Sequence, residues 1–224
     1  MSDFKILNHI ASKFDIKYTS LIFFEVVYMK LKDEMWTVRT GKILHLDGDK
    51  RYSQKAERIY RKMGLNAIVK NVPESKQPLM VRPLLEKYNP DILVITGHDT
   101  MIKKGVNFSN IYNYKNSKNF RDAVLEARKW AKSSKKLVIF AGACESFFEA
   151  LIDAGADFAS SPGRILIDFI DPIIVAEKVA VTDNNKFVSG YEISKIIKEG
   201  EKGVSRNWSN GKEKNECNNT VTKM

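Results

Sequence analysis

Two runs of aliphatic residues, 91–96 (DILVIT) and 136–141 (KLVIFA), constrain the fold of this chain more than anything else in it. Neither alternates polar with apolar. A strand of that kind has both faces out of water, a condition met in a parallel sheet covered by helices on both sides. The neighbouring segments agree. Residues 42–46 (KILHL) and 66–71 (NAIVKN) are shorter apolar runs, and the first stops at Asp47-Gly48-Asp49, a turn sequence. Helical spacing fills the gaps. Ser53 is the expected cap of a helix to Met63, with Gly64 at its end. Residues 78–88 form a second helix stopped by Pro90. Ser117 caps a third, to residue 132, with Phe120, Val124, Ala127 and Ala131 on one face. Beyond it, 145–154 is expected to be helix, 157–160 strand, 172–178 helix, 179–182 strand and 192–198 helix. Strands alternating with helices make a three-layer α/β domain with a mainly parallel sheet. Right-handed crossovers then bring every parallel strand's C-terminal end to one edge, where such sheets bind ligands.

The two ends of the chain differ from this middle. Phe4, Leu7, Ile10 and Phe14 recur at helical spacing, and 21–31 suits either a strand or a buried helix. Beyond Gly200 the chain is mostly Lys, Glu, Asn and Gly, the composition of a disordered tail. The expected organisation is an N-terminal segment (1–40), one folded domain (41–200) and a tail (201–224). With 224 residues, 43% of them hydrophobic and 29% charged, one core can form without staples. The apolar run 21–27 is broken by Glu25 and is too short to span a membrane. The N-terminus lacks the pattern of a signal peptide. A soluble cytoplasmic protein with no membrane partner is expected.

Only Cys144 and Cys217 occur, which excludes a disulfide framework, and His9, His45 and His98 show no zinc-ligand spacing. The net charge of +10 is spread along the chain with no nucleic-acid-binding signature. It reads as a solvated basic surface, with no specific nucleic-acid partner.

Two strand ends carry reactive groups. DILVIT runs into Gly97-His98-Asp99, and KLVIFA into Gly142-Ala143-Cys144. The topology places both side chains on the functional edge. If the strands are neighbours, about 4.8 Å apart, an imidazole and a thiol flank one substrate bond. A helix beginning at residue 145 would point its positive end at the sulfur and favour the thiolate. Read singly, a cysteine there is an ordinary small hydrophobe and a histidine an ordinary loop residue. Chain order narrows the chemistry. Papain-like proteases and class I glutamine amidotransferases place cysteine before histidine, yet no histidine follows Cys144, and Ser146 replaces the second glycine of a Gly-x-Cys-x-Gly elbow. Histidine first and cysteine second is the order of caspase-like cysteine proteases, which have a flavodoxin-like αβα core.

The strings 41–52 (GKILHLDGDKRY), 89–99 (NPDILVITGHD), 111–120 (IYNYKNSKNF), 137–162 (LVIFAGACESFFEALIDAGADFASSP) and 170–172 (IDP) resemble the YabG family of sporulation-specific peptidases. The resemblance covers about 41–182. It implies a caspase-like cysteine endopeptidase with catalytic His98 and Cys144. It implies cytoplasmic synthesis in sporulating cells, possible association with the spore coat, and spore-coat and germination proteins as substrates, cut mainly at basic residues. The family usually carries a small β-rich module before the GKxLHLDGD string. Residues 1–40 do not look like it, so a truncated or divergent N-terminal segment is expected.

The remaining motif residues take subsidiary roles. Asp47 and Asp49 follow the first strand, where a carboxylate can hold a substrate arginine in a two-bond fork. The alternative is an Asp-Gly turn. Asp99 can orient the imidazole, and Gly97, Asp99 and Gly142 are candidates for positioning or for an oxyanion hole, with the amides of Asp99 and Cys144 as donors. Ser160 and Ser161 are candidates for a substrate-pocket wall. His45 reads as a buried structural histidine. No metal or cofactor is called for. The rival readings are a catalytically inert flavodoxin-like binding module of the spore coat and a non-proteolytic hydrolase or thiol transferase.

Overall fold

A computed structural model describes residues 40–102, 108–134, 136–183, 186 and 188–206. The expectations for 3–14, 21–31 and the tail beyond 206, with His9 and Cys217, lie outside the described residues.

Six strands form one sheet in the order β2-β1-β3-β4-β5-β6. They are β1 Ile43–Asp47, β2 Ala67–Asn71, β3 Ile92–Thr96, β4 Val138–Ala141, β5 Phe158–Ser160 and β6 Val204–Arg206. β1 to β5 are parallel and β6 runs antiparallel to β5. Helices α1 Lys50–Lys62, α2 Gln77–Tyr88, α3 Ser117–Ser134, α4 Phe148–Asp153, α5 Asp171–Ala180 and α6 Gly190–Ser194 connect them. The period-2 rule divides the core. Leu44, Leu46, Leu93, Ile95, Ile139 and Ala141 pack with α2, α3 and α4 on one face. Ile43, Ile92, Val94, Phe140 and Phe158 pack with α1, α5 and α6 on the other. This is the expected three-layer α/β fold.

The strand order reverses between β1 and β3, so the chain leaves these neighbours on opposite faces and opens a crevice at their C-terminal ends. The register pairs Asp47 with Thr96 and Ile95 with Ala141. The turns after β1, β3 and β4 therefore meet at one place.

Four local expectations are corrected. α1 starts earlier than Ser53, because Asp49 caps it by accepting the amides of Arg51 and Tyr52. Ser117 opens α3 without capping it, since its hydroxyl donates to Asp99 and accepts the Phe147 amide. Residues 179–182 are not a strand. The apolar residues Ile173, Ala176 and Ala180 share one helical face, and α5 runs to Ala180. The tail does not begin at 201, because residues 204–206 form β6. A three-residue strand is too short to leave a period in the sequence.

Candidate active site

His98 and Cys144 open onto one cleft of about 300 Å³, lined also by Asp47, Tyr52, Thr96, Gly97, Gly142, Ala143, Ile167, Asp168, Phe169 and Pro172. β3 and β4, which deliver the two residues, are adjacent strands. The imidazole is 57% exposed, and its Nε2 lies 3.0 Å from Oδ2 of Asp49. The Tyr52 ring meets it edge-on, and Phe169 stacks on Tyr52. The backbone amide of His98 donates to Oε1 of Glu74 at 2.8 Å.

The Cys144 sulfur accepts the Ile167 amide at 3.4 Å and reaches the Ile167 carbonyl at 3.7 Å. The expected helix at 145 is displaced. Glu145 takes a left-handed turn at φ 55° and α4 begins only at Phe148. The helix after Cys144 therefore does not start at the sulfur. The sulfur instead sits against the Ile167 peptide, between its N–H and its carbonyl.

The glycines permit close approach. Gly142 has φ 110°, and a Cβ there would stand 2.7 Å from the Ser160 carbonyl oxygen. A Cβ at Gly97 would stand 2.4 Å from the Glu74 carboxylate. The Gly142 amide is spent on the Ile95 carbonyl, the Ala143 amide on Ser146 Oγ and the His98 amide on Glu74. The amides of Asp99 and Cys144 donate to no described residue.

The family model described as YabG peptidase U57 matches residues 18–217, most of the chain. This chain belongs to the YabG peptidase U57 family. It is 42% identical over 164 residues to the sporulation-specific protease YabG of Bacillus subtilis (strain 168). The match spans 73% of this chain and 57% of the relative, so the chain spans a little over half the length of the protein it matches. The family match reaches past the strings in 41–182 at both ends.

In this YabG family member the other expected site residues divide. Asp47 is buried but lines the cleft. It accepts Thr96 Oγ1 at 2.8 Å and the Asp49 amide at 2.7 Å, and burial raises its carboxyl above the ordinary range. Behind it Thr96 takes His45 Nε2 at 2.7 Å, and His45 Nδ1 meets Tyr60 Oη at 3.1 Å. Burial pushes His45 down to about 3, so it is neutral, as a structural histidine should be. Asp99 faces away from the imidazole. Its carboxylate takes Ser117 and Ser146 hydroxyls and the Thr100 and Asn116 amides, tying the β3, α3 and β4 turns together. Ser160 and Ser161 are fully buried. Their hydroxyls are committed to Ala143 and Ile165 and do not line the cleft. A larger hollow of about 590 Å³ lies beside Glu145, lined by Met101, Phe108 and the Glu149–Arg164 ion pair.

Glu74, Tyr52 and Phe169 were not legible as site residues. Glu74 follows β2 closely, and the shared strand-end edge was the signal for it. Tyr52 sits one turn beyond the Asp47-Gly48-Asp49 string. Nothing in the sequence marks Phe169 as a cleft wall. No described helix is long and apolar enough to cross a membrane.

Proposed function

We propose that this chain is a cysteine endopeptidase acting in sporulation, with Cys144 as nucleophile and His98 as general base and acid. The observation that carries the reading is the meeting of thiol and imidazole in one cleft at the ends of adjacent strands. His98 Nδ1, which makes no hydrogen bond to a described residue, takes the thiol proton. The thiolate adds to the substrate carbonyl carbon. Its oxyanion forms beside the Asp99 and Cys144 amides, with Gly97 and Gly142 leaving room for the peptide backbone. The leaving amine takes the proton from His98 and a thioester remains. Water, deprotonated by His98, releases the acid product and the free thiol. No cofactor enters these steps.

Arginine is the residue we assign before the cleaved bond. Asp47 and Asp168 stand in the cleft as acceptors for a guanidinium, which desolvates well when held by two parallel N–H···O bonds. The substrates in this reading are spore-coat and germination proteins, met in the cytoplasm of the sporulating cell or at the coat. An inert binding module predicts an unreactive Cys144. The test is cleavage of a protein substrate by Cys144→Ala, His98→Ala and the double variant. Each single variant should fall at least a hundredfold, and the double should be no worse, because nucleophile and base act as a unit. Activity of Cys144→Ala near that of the wild type overturns the assignment.

A further inference from the structure

We infer that Asp49 is a positioning residue that holds the His98 imidazole in the tautomer its chemistry needs, and is not a substrate-binding carboxylate. The inference rests on the proposed peptidase reading. Both carboxylate oxygens are committed. Oδ1 caps α1, accepting the Arg51 amide at 2.6 Å and the Tyr52 amide at 3.1 Å. Oδ2 lies 3.0 Å from His98 Nε2. A carboxylate fixed at a helix start cannot swing to meet a substrate without giving up the cap.

An ionised carboxylate only accepts, so Nε2 must carry a hydrogen. Nδ1 is then the bare nitrogen, able to take a proton from Cys144. The His98 bond is the largest of the causes that hold the Asp49 carboxyl below its ordinary range, so it stays ionised at neutral pH. Once Nδ1 is protonated, the imidazolium rests against a fixed negative charge. The groups facing the imidazole are Asp49 and Tyr52 at the start of α1, Asp47 at the end of β1, Glu74 at the His98 amide, and Asp168 and Cys144 around the cleft.

A second carboxylate fixes the other end of the residue. Glu74 fills the space beside Gly48 and Gly97, where a Cβ would come within 2.2 Å and 2.4 Å of it, and holds the His98 amide. Ring and backbone of His98 are thus held by separate elements. Asp99, adjacent in sequence, is turned into the α3 junction and does not touch the ring.

The test uses Asp49→Asn and Asp49→Ser, both of which keep an oxygen for the helix cap. In Asp49→Asn the side-chain N–H₂ faces Nε2 and drives the hydrogen onto Nδ1. With wild type and Cys144→Ala as references, steady-state cleavage is measured on peptides carrying Arg or Leu before the cleaved bond. The rate of Cys144 alkylation by iodoacetamide is measured across pH. For Asp49→Asn, kcat should fall by roughly 10²–10⁴-fold, the scale of a wrong tautomer. KM should change by less than about threefold. The loss should be equal on both peptides, and the alkylation profile should move. Asp49→Ser should also lose kcat and shift the profile. A loss confined to Arg peptides, carried by KM, would make Asp49 the substrate carboxylate and overturn the inference. So would an unmoved alkylation profile with only a lowered melting temperature, which a cap alone would produce. If instead Cys144→Ala cleaves like wild type, the peptidase assignment fails, while the alkylation profile still reports whether Asp49 acts on His98.

Discussion

Replacing Asp47 by Asn tests the pocket with the least disturbance, because the two side chains have the same shape. The Asp47 side chain is 9% exposed. One oxygen takes the Asp49 amide and the other the Thr96 hydroxyl. Asn keeps the first bond. The Thr96 hydroxyl is already on the Leu46 carbonyl at 3.4 Å and can turn to it, so about 1 kcal/mol of hydrogen bonding is at stake. Removing a buried charge offsets that cost, and the melting temperature should change little. Catalysis should change much more. Losing one partner of a desolvated charge pair costs about 2–4 kcal/mol, which is about 30- to 800-fold in kcat/KM. The loss should fall on Arg peptides, less on Lys, and barely on Leu. The assay is kcat/KM on three peptides differing only at that residue. An unchanged Arg-to-Leu ratio in a folded Asp47→Asn refutes the reasoning. The acidic wall would then be Asp168.

Three further outcomes follow from the structure. Asp171 is almost fully buried, and burial raises its carboxyl from 3.8 to about 6. A raised acid contributes stability below its unfolded value and loses it as pH rises through the folded one. Relative to Asp171→Asn, wild type should therefore lose about 3 kcal/mol between about pH 3.5 and 6.5. A urea-melt difference that stays constant over that window contradicts this. Asp99→Ala strands four donors and should cost at least about 3 kcal/mol in urea unfolding. A loss under about 1 kcal/mol would remove its role as the tie between the turns. Gly142→Ala forces a Cβ into the Ser160 carbonyl at φ 110° and should destabilise by more than about 2 kcal/mol. Wild-type thermal stability would show that the turn can relax.

The sheet was legible because β1, β3 and β4 are continuous apolar runs, and a run followed by glycine announces its own end. The meeting of His98 and Cys144 at one sheet edge was legible for the same reason, since each follows such an end. The role proposed for Asp49 was not. An Asp-Gly-Asp string reads as a turn, and whether its second aspartate caps a helix, binds a ligand or orients a histidine depends on what β3 delivers beside it. The helix after Cys144 starts later than its sequence predicts, because 145–154 carries helical composition throughout. The first residues are instead drawn into a turn by the Ser146 hydroxyl, which joins the Ala143 amide to Asp99. β6 and Glu74 depend on contacts far along the chain and leave no local pattern.

A Cys144 nucleophile served by His98 should be trapped by an affinity label. Incubation with a peptidyl arginyl chloromethyl ketone, followed by intact-mass measurement and peptide mapping, tests it most directly. One adduct is expected, on Cys144, absent from Cys144→Ala and formed at least tenfold more slowly in His98→Ala. No adduct on wild type, an adduct on another residue, or equal labelling of His98→Ala would contradict it.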